Sequence, residues 1–185
     1  MEKTPTREIL DTIYPRIGFL DGICITGGEP TLHRELPSFL ENLKESGSLV
    51  KLDTNGSRPR MLRILLDRHL VDYFTVKIVG RIEDYPSIAG PRFEPEMVKN
   101  TIQMIRRSSV PYEFKVTAIP TLNDEKTFLD LANVLAGSRR FIIKQFNPDN
   151  CLNPEFNEIH PFSLNELKQI EEMIAPFFAE TEIEK

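Results

Sequence analysis

Apolar positions along the chain switch repeatedly between a helical stripe and short runs rich in β-branched and aromatic residues. Thr6 to Arg16 carries Ile9, Leu10 and Ile13 on one face and predicts a helix, with a strand following at Gly22–Thr26. A helix over Arg34–Ser46 stops at Gly47, and strand Leu49–Asp53 follows. The unit then recurs as helix Arg60–Arg68 with strand Tyr73–Val79, helix Pro95–Arg107 with strand Tyr112–Ile119, and helix Glu125–Leu135 with strand Arg140–Phe146. Ser163 and Glu166 make a capping box opening a last helix that buries Leu167, Ile170 and Ile174. Five strands alternating with six helices are the signature of βα units around a parallel sheet. The segments Gly80–Glu94 and Asn147–Phe162 read as the long irregular connections.

The strand Gly22–Thr26 is too apolar for an undefended sheet edge, and no strand precedes it. A strand upstream, another chain or a loop is expected to cover it. Several strands also alternate apolar with polar, placing Lys51 and Asp53, Thr75 and Lys77, and Lys115 and Thr117 on matching phases, with Gln145 on the last strand. A closed TIM barrel fills its centre with branched apolar side chains. The polar set therefore fits either an incompletely closed barrel with a wet, charged interior or an open sheet with one solvated face.

Composition narrows the setting. A chain of 185 residues closes one hydrophobic core, so a single domain over residues 1–185 is expected. With 23 basic against 28 acidic side chains the net charge is −5, which gives no global footprint for nucleic acid or an anionic membrane. No apolar run is long enough to span a bilayer, and Met1 to Glu8 is polar rather than a signal peptide, so the expected location is the cytoplasm. Cys24 and Cys151 are the two cysteines, which fits a reducing compartment and leaves no cluster that three thiolates of this chain hold. Cys24 reads as a small buried hydrophobe and Cys151 as structural. His33, His69 and His160 lack metal-ligand spacing and read as surface or capping residues. The pairs Arg106-Arg107 and Arg139-Arg140 end helices or begin a strand, and that role is expected over phosphate binding.

The candidate chemistry lies in Thr26-Gly27-Gly28-Glu29-Pro30-Thr31, at the carboxyl end of the first strand. Ligands bind at that end in barrels and open α/β sheets alike. Two glycines let the backbone bend and let a ligand approach the main chain, Glu29 is an acceptor suited to an ammonium group, and Pro30 stiffens the exit.

The string Ile23 to Leu32 resembles the GGEP motif of radical S-adenosylmethionine enzymes. Lys51-Leu-Asp-Thr-Asn-Gly56 resembles the next strand end in the branch containing the pyruvate formate-lyase activating enzyme and the anaerobic ribonucleotide reductase activating protein. Lys144 to Asn150, with Leu152 to Glu155 and the capped last helix, resembles the tail of the reductase activases. The resemblance implies an α/β fold, a partial (β/α)6 TIM-like barrel of parallel strands, whose first strand and cluster loop, bearing a CxxxCxxC motif, are absent from this sequence. In the family three thiolates hold a four-iron, four-sulfur (4Fe-4S) cluster. Electron transfer from it cleaves S-adenosylmethionine, and the resulting radical takes a hydrogen atom from a glycine of a partner glycyl-radical enzyme. Carried over residue by residue, Gly27, Gly28, Glu29 and Pro30 match the motif that receives the methionyl ammonium, and Asp53 and Thr54 match polar contacts to the same ligand. Lys115 falls where a cation meets the methionyl carboxylate, while an inward salt bridge from Lys115 to Asp53 explains the same residue structurally. An electron donor such as flavodoxin or ferredoxin is implied, with no nucleic acid and no membrane.

The sequence departs from the branch at Lys77 and Val79, which stand where it carries an Asp-x-Lys pair. Lys77 offers donors only, and its charge beside a sulfonium is expected to weaken binding. Two accounts stay open. In one, the complete protein is an activating enzyme and this chain alone is inactive; in the other, a degenerate radical-SAM-like protein acts as a non-catalytic binding or regulatory subunit.

Overall fold

Six parallel strands hydrogen-bond in chain order: β1 (Ile23–Ile25), β2 (Val50–Thr54), β3 (Tyr73–Ile78), β4 (Tyr112–Ala118), β5 (Arg140–Gln145) and β6 (Glu180–Glu184). They belong to a computed structural model that describes residues 4–91, 93–149, 151 and 153–185. Helix α1 (Thr6–Ile13) precedes the sheet, and α2 (Leu36–Glu45), α3 (Pro59–Asp67), α4 (Tyr85–Ile88) with α5 (Pro95–Arg107), α6 (Glu125–Leu135) and α7 (Leu164–Ile174) fill the successive crossovers. Parallel neighbours joined in order by crossovers of one hand send every helix to the same face.

Sequence periodicity decides what lies under those helices. Val50 and Leu52, Phe74, Val76 and Ile78, Phe114 and Val116, and Phe141 and Ile143 are buried on alternate strand positions, against Leu40, Leu65, Ile105, Phe128 and Ile170 of the helices. Helix ends follow local chemistry. Pro59 and Pro95 open α3 and α5 at first-turn positions where no N–H is needed, and the Asp124 carboxylate accepts from the Thr127 backbone N–H to cap α6. Ser163 and Glu166 complete the expected capping box of α7, and Gly47, at φ +83°, ends the turn after α2.

Several expectations need correcting. The first helix ends at Ile13, because Pro15 turns Tyr14–Phe19 into a 3-10 segment. The connection 80–94 holds α4, whose Tyr85 is buried and whose hydroxyl accepts from the Val79 N–H at 3.2 Å. Burial pushes that phenol up to about 12. Five strands were expected from the pattern, but the sheet has a sixth, β6, an alternating Glu-Thr-Glu-Ile-Glu segment of weak β-propensity. Its glutamates lie opposite cations: Arg140 pairs with Glu180 and Glu182, and Lys115 and Lys144 with Glu184. Cross-strand charge pairing, absent from the strand's own composition, therefore sets it in place. Gln145 is not on the polar phase. It registers with buried Ala118 and donates to the Phe162 carbonyl at 3.0 Å, while Arg140, Ile142 and Lys144 carry the polar-side phase of β5. Among the described residues β1 pairs with β2 alone, so one edge of β1 faces no strand. Asn150 and Leu152 of the tail motif, and Met1–Lys3 of the polar start, lie outside the described residues.

Candidate functional site

Immediately after Ile25 the chain bends over the carboxyl edge of the sheet. Gly27 takes φ +130°, which L side chains rarely adopt, and a Cβ placed on Gly27 or Gly28 would meet nothing within 4 Å. The pair thus leaves open space above β1 rather than relieving a close contact. Gly27→Ala is accordingly expected to cost about 1 kcal/mol or more in backbone strain, whereas Gly28→Ala leaves the denaturation midpoint unchanged. Urea unfolding of the two variants separates them.

Glu29 fastens this bend to the next strand end. Its Oε1 accepts from the Thr31 backbone N–H (3.1 Å), the Thr31 hydroxyl and the Thr54 hydroxyl (2.8 Å), and its Oε2 accepts from the Asn55 N–H (2.6 Å). The Thr54 hydroxyl accepts in turn from the Gly56 N–H at 3.1 Å, and the Gly56 carbonyl accepts from the buried Thr101 hydroxyl of α5 at 2.7 Å. Every donor to Glu29 is neutral, and no ion pair involves it among the described residues. A half-buried carboxylate with one oxygen accepting a single hydrogen bond keeps both a charge and a lone pair for a cationic ligand. Glu29, Thr31 and Asn55 border a cavity of about 870 Å³ that extends to the start of α3.

A second cluster lies beside it on the polar face. Asp53 Oδ2 lies 3.0 Å from Lys77 Nζ and accepts from the Thr26 hydroxyl at 3.2 Å, and Lys77 also donates to Thr26 at 3.1 Å. Burial pushes the Asp53 carboxyl up, but the Lys77 hydrogen bond and charge, helped by Lys51, hold it below the usual carboxylate range. Lys77 therefore neutralises Asp53 and does not stand as a free charge. Cys24 is exposed on this face, not buried as its strand position suggested, and its thiol reaches Asp53 Oδ1 at 3.7 Å. Partial desolvation on the sheet face and the Asp53 charge push that thiol up, away from a reactive thiolate.

Deeper on the polar face, towards the amino ends of the strands, Glu113 gathers Lys51, Tyr73, Thr75 and Arg140. Lys115 pairs with Glu184 at 2.6 Å, which replaces the expected bridge to Asp53. Among the expected site residues the structure thus joins Gly27, Gly28, Glu29 and Pro30 in one bend, braced by Thr54 at the end of β2. It sets Asp53 alongside and leaves Lys115 with no hydrogen bond or ion pair to the bend among the described residues. Thr54 is a buried brace, not an open contact. The parts missed from sequence are the Asn55 N–H, the Lys77 partnership and the Glu113 hub; the Asx-type turn residues at 54–57 were the available signal for the first. His33, His69 and His160 are all exposed.

A bend with open space above it at the carboxyl edge of a singly wound parallel sheet, with helices outside and charge inside, has the placement of a candidate small-molecule site in the partial-barrel class. Comparison with known proteins places the chain further. A model of the radical SAM superfamily matches residues 2–132. A Methanocaldococcus jannaschii protein, provisionally described as a glycyl-radical enzyme activating enzyme, is 31% identical over 168 residues, covering 87% of this chain and 70% of that protein. The crystal structure of a domain of pyruvate-formate lyase-activating enzyme from Bacteroides vulgatus superposes with TM-score 0.73 at 16% identity, over 90% of this chain and all of that domain. Streptococcus suis SuiB bound to S-adenosylmethionine superposes with TM-score 0.75 at 11% identity, all of this chain matching 44% of SuiB. The chain belongs to the radical SAM superfamily, and its fold is the partial (β/α)6 TIM-like barrel of parallel strands.

The family implies S-adenosylmethionine and a 4Fe-4S cluster. The Glu29 bend fits the first of these, since it offers open backbone and an uncompensated carboxylate to an ammonium. The cluster does not fit this chain's residues: two cysteines are present, and no group of three or more His, Cys, Asp or Glu able to hold a metal occurs among the described residues. No helix of the described residues is long and apolar enough to cross a membrane.

Proposed function

We propose that residues 1–185 form one radical SAM domain that binds the methionyl end of S-adenosylmethionine for an enzyme activating a glycyl-radical partner. The observation that carries this reading is the Glu29 carboxylate, tied only to neutral donors at the carboxyl edge of β1. Gly27 and Gly28 leave room for the ligand, Pro30 and Thr54 hold the carboxylate in place, and Asp53 with Thr26 supplies further polar contacts. Lys115 is the candidate for the methionyl carboxylate, in exchange for Glu184. S-adenosylmethionine held by these residues would supply the hydrogen-abstracting chemistry. The cluster thiolates, an electron donor of the flavodoxin or ferredoxin kind, and the glycyl-radical enzyme come from outside this chain.

The chain on its own is therefore expected to bind S-adenosylmethionine weakly and to hold no four-iron cluster after anaerobic reconstitution. Iron analysis giving about four irons per chain, with the matching visible absorbance, contradicts that. Gly28→Ala, whose added methyl enters the ligand space, is expected to weaken nucleotide binding in calorimetry without loss of stability. Unchanged affinity places the ligand elsewhere.

The second reading, a non-catalytic binding subunit, draws on Lys77, which closes Asp53 into an internal ion pair. Translation of the gene upstream of the Met1 codon separates the two. An in-frame CxxxCxxC supports the activating enzyme, and a stop codon directly upstream supports the binding subunit.

A further inference from the structure

The outer helical layer, on the opposite side of the sheet from the polar face, holds a groove of about 1280 Å³ between α3 and α5. Its apolar surface comes from Ile64, 43% exposed, and half-buried Met97, over a floor that includes the buried Met104. Arg60, Arg63 and Arg107 line it against one carboxylate, Asp67. None of these three guanidinium groups makes a hydrogen bond or ion pair among the described residues, whereas Arg68, Arg81 and Arg140 each meet a carboxylate. Arg60 and Arg63 are neighbours one helical turn apart, so their like charges cost the isolated helix stability. In a chain of net charge −5, this groove is a local reversal of sign without an internal partner.

Methionine adapts to varied apolar partners, and Met and Arg are both enriched at protein interfaces. We propose that the α3–α5 groove docks an acidic amphipathic helix of a partner protein. Apolar side chains spaced i, i+3/i+4 and i+7 seat on Ile64 and Met97, and flanking carboxylates meet Arg60, Arg63 and Arg107. A nucleic acid backbone would satisfy the arginines but leave the apolar surface uncovered. The groove shares Arg60, Ile64 and Met97 with the cavity beside Glu29, so a docked helix lies along the approach to that bend. The inference stands on this surface and does not rest on nucleotide binding at the bend.

The test is selection of a phage-displayed random library of about 16-residue peptides, roughly four helical turns, on the intact chain. Calorimetry then follows on the winning peptides as synthetic samples. Expected winners carry a net negative charge and helically spaced apolar residues. Their affinity falls about tenfold or more for the double variant Arg60→Glu/Arg63→Glu and falls also for Ile64→Gln. It stays within about twofold for Lys168→Glu, a reversal at an exposed site on α7. Urea midpoints equal to that of the parent chain show that the variants are folded. Winners without acidic character, equal affinity for parent and double variant, or tighter binding of a single-stranded oligonucleotide than of the peptides each overturn the proposal.

Discussion

Glu29→Ala is expected to abolish calorimetrically detectable binding of S-adenosylmethionine and to destabilise the chain by about 2–4 kcal/mol. The two effects have one origin. Removing the carboxylate strips the acceptor from the Thr31 and Asn55 N–H groups and from the Thr31 and Thr54 hydroxyls, and Thr54 is buried. Buried donors left without a partner cost more than the hydrogen bonds contributed. The bend then loses its tie to the end of β2, and with it the carboxylate proposed to meet a ligand's ammonium. Glu29→Gln is the sharper variant, since it keeps the shape but removes the charge and turns one acceptor oxygen into a donor. It is expected to fold with reduced stability and to bind S-adenosylmethionine about tenfold or more weakly than the parent chain. Urea unfolding followed by titration checks both; an alanine variant as stable as the parent chain shows that the brace is unimportant.

Glu113→Ala is expected to cost about 3–5 kcal/mol, the range for removing one partner of a buried ion pair. Glu113 is 1% exposed and accepts from Lys51 (3.0 Å), Thr75 (2.7 Å) and Tyr73 (3.0 Å), with the Arg140 guanidinium at 3.3 Å. It joins β2, β3, β4 and β5 across the polar face, and its loss leaves Lys51 without an ion-pair partner among the described residues, while Arg140 keeps Glu180 and Glu182. Burial alone would push its carboxyl up, but the Thr75 and Lys51 hydrogen bonds, the Lys51 charge and the Tyr73 hydroxyl together hold it below the usual carboxylate range. The sign follows: a carboxylate depressed in the folded state contributes fully above its unfolded pKa of about 4.3, and that contribution is lost as pH falls through the folded value. Asp53 acts in the same direction. Stability measured by urea unfolding is therefore expected to fall steeply on acidification below about pH 4, and less steeply in Glu113→Gln. An equal slope in the two proteins contradicts the hub.

What the residues disclosed in advance, and what they hid, divides along a physical line. The first five strands and the helices other than α4 were legible because Leu36, Leu40 and Leu43 on α2, and Val98, Ile102 and Ile105 on α5, repeat at the helical period, while Phe74, Val76 and Ile78 alternate on one strand face. Those patterns are local. The bend at Gly27 to Pro30 was legible too, since a positive φ demands glycine. Partnerships were not legible, because a lysine reads the same whichever carboxylate it meets. Lys77 pairs with Asp53 and Lys115 with Glu184, although periodicity only put them on one face. Strand β6 was hidden for the same reason: its glutamates make sense only beside Arg140, Lys115 and Lys144. Cys24 misled because an apolar strand suggested burial, whereas β1 is the sheet edge and its polar face is open.

The account stands on the Glu29 bend holding the ammonium of a sulfonium nucleotide. Calorimetry of the chain with S-adenosylmethionine, and with an analogue whose methionyl amino group is replaced by hydrogen, tests it most directly. The account predicts that the analogue binds about tenfold or more weakly to the parent chain, the scale of one charge-assisted hydrogen bond, and that Glu29→Gln erases the difference. Equal affinity of the parent chain for both ligands, or a preference that survives Glu29→Gln, contradicts it.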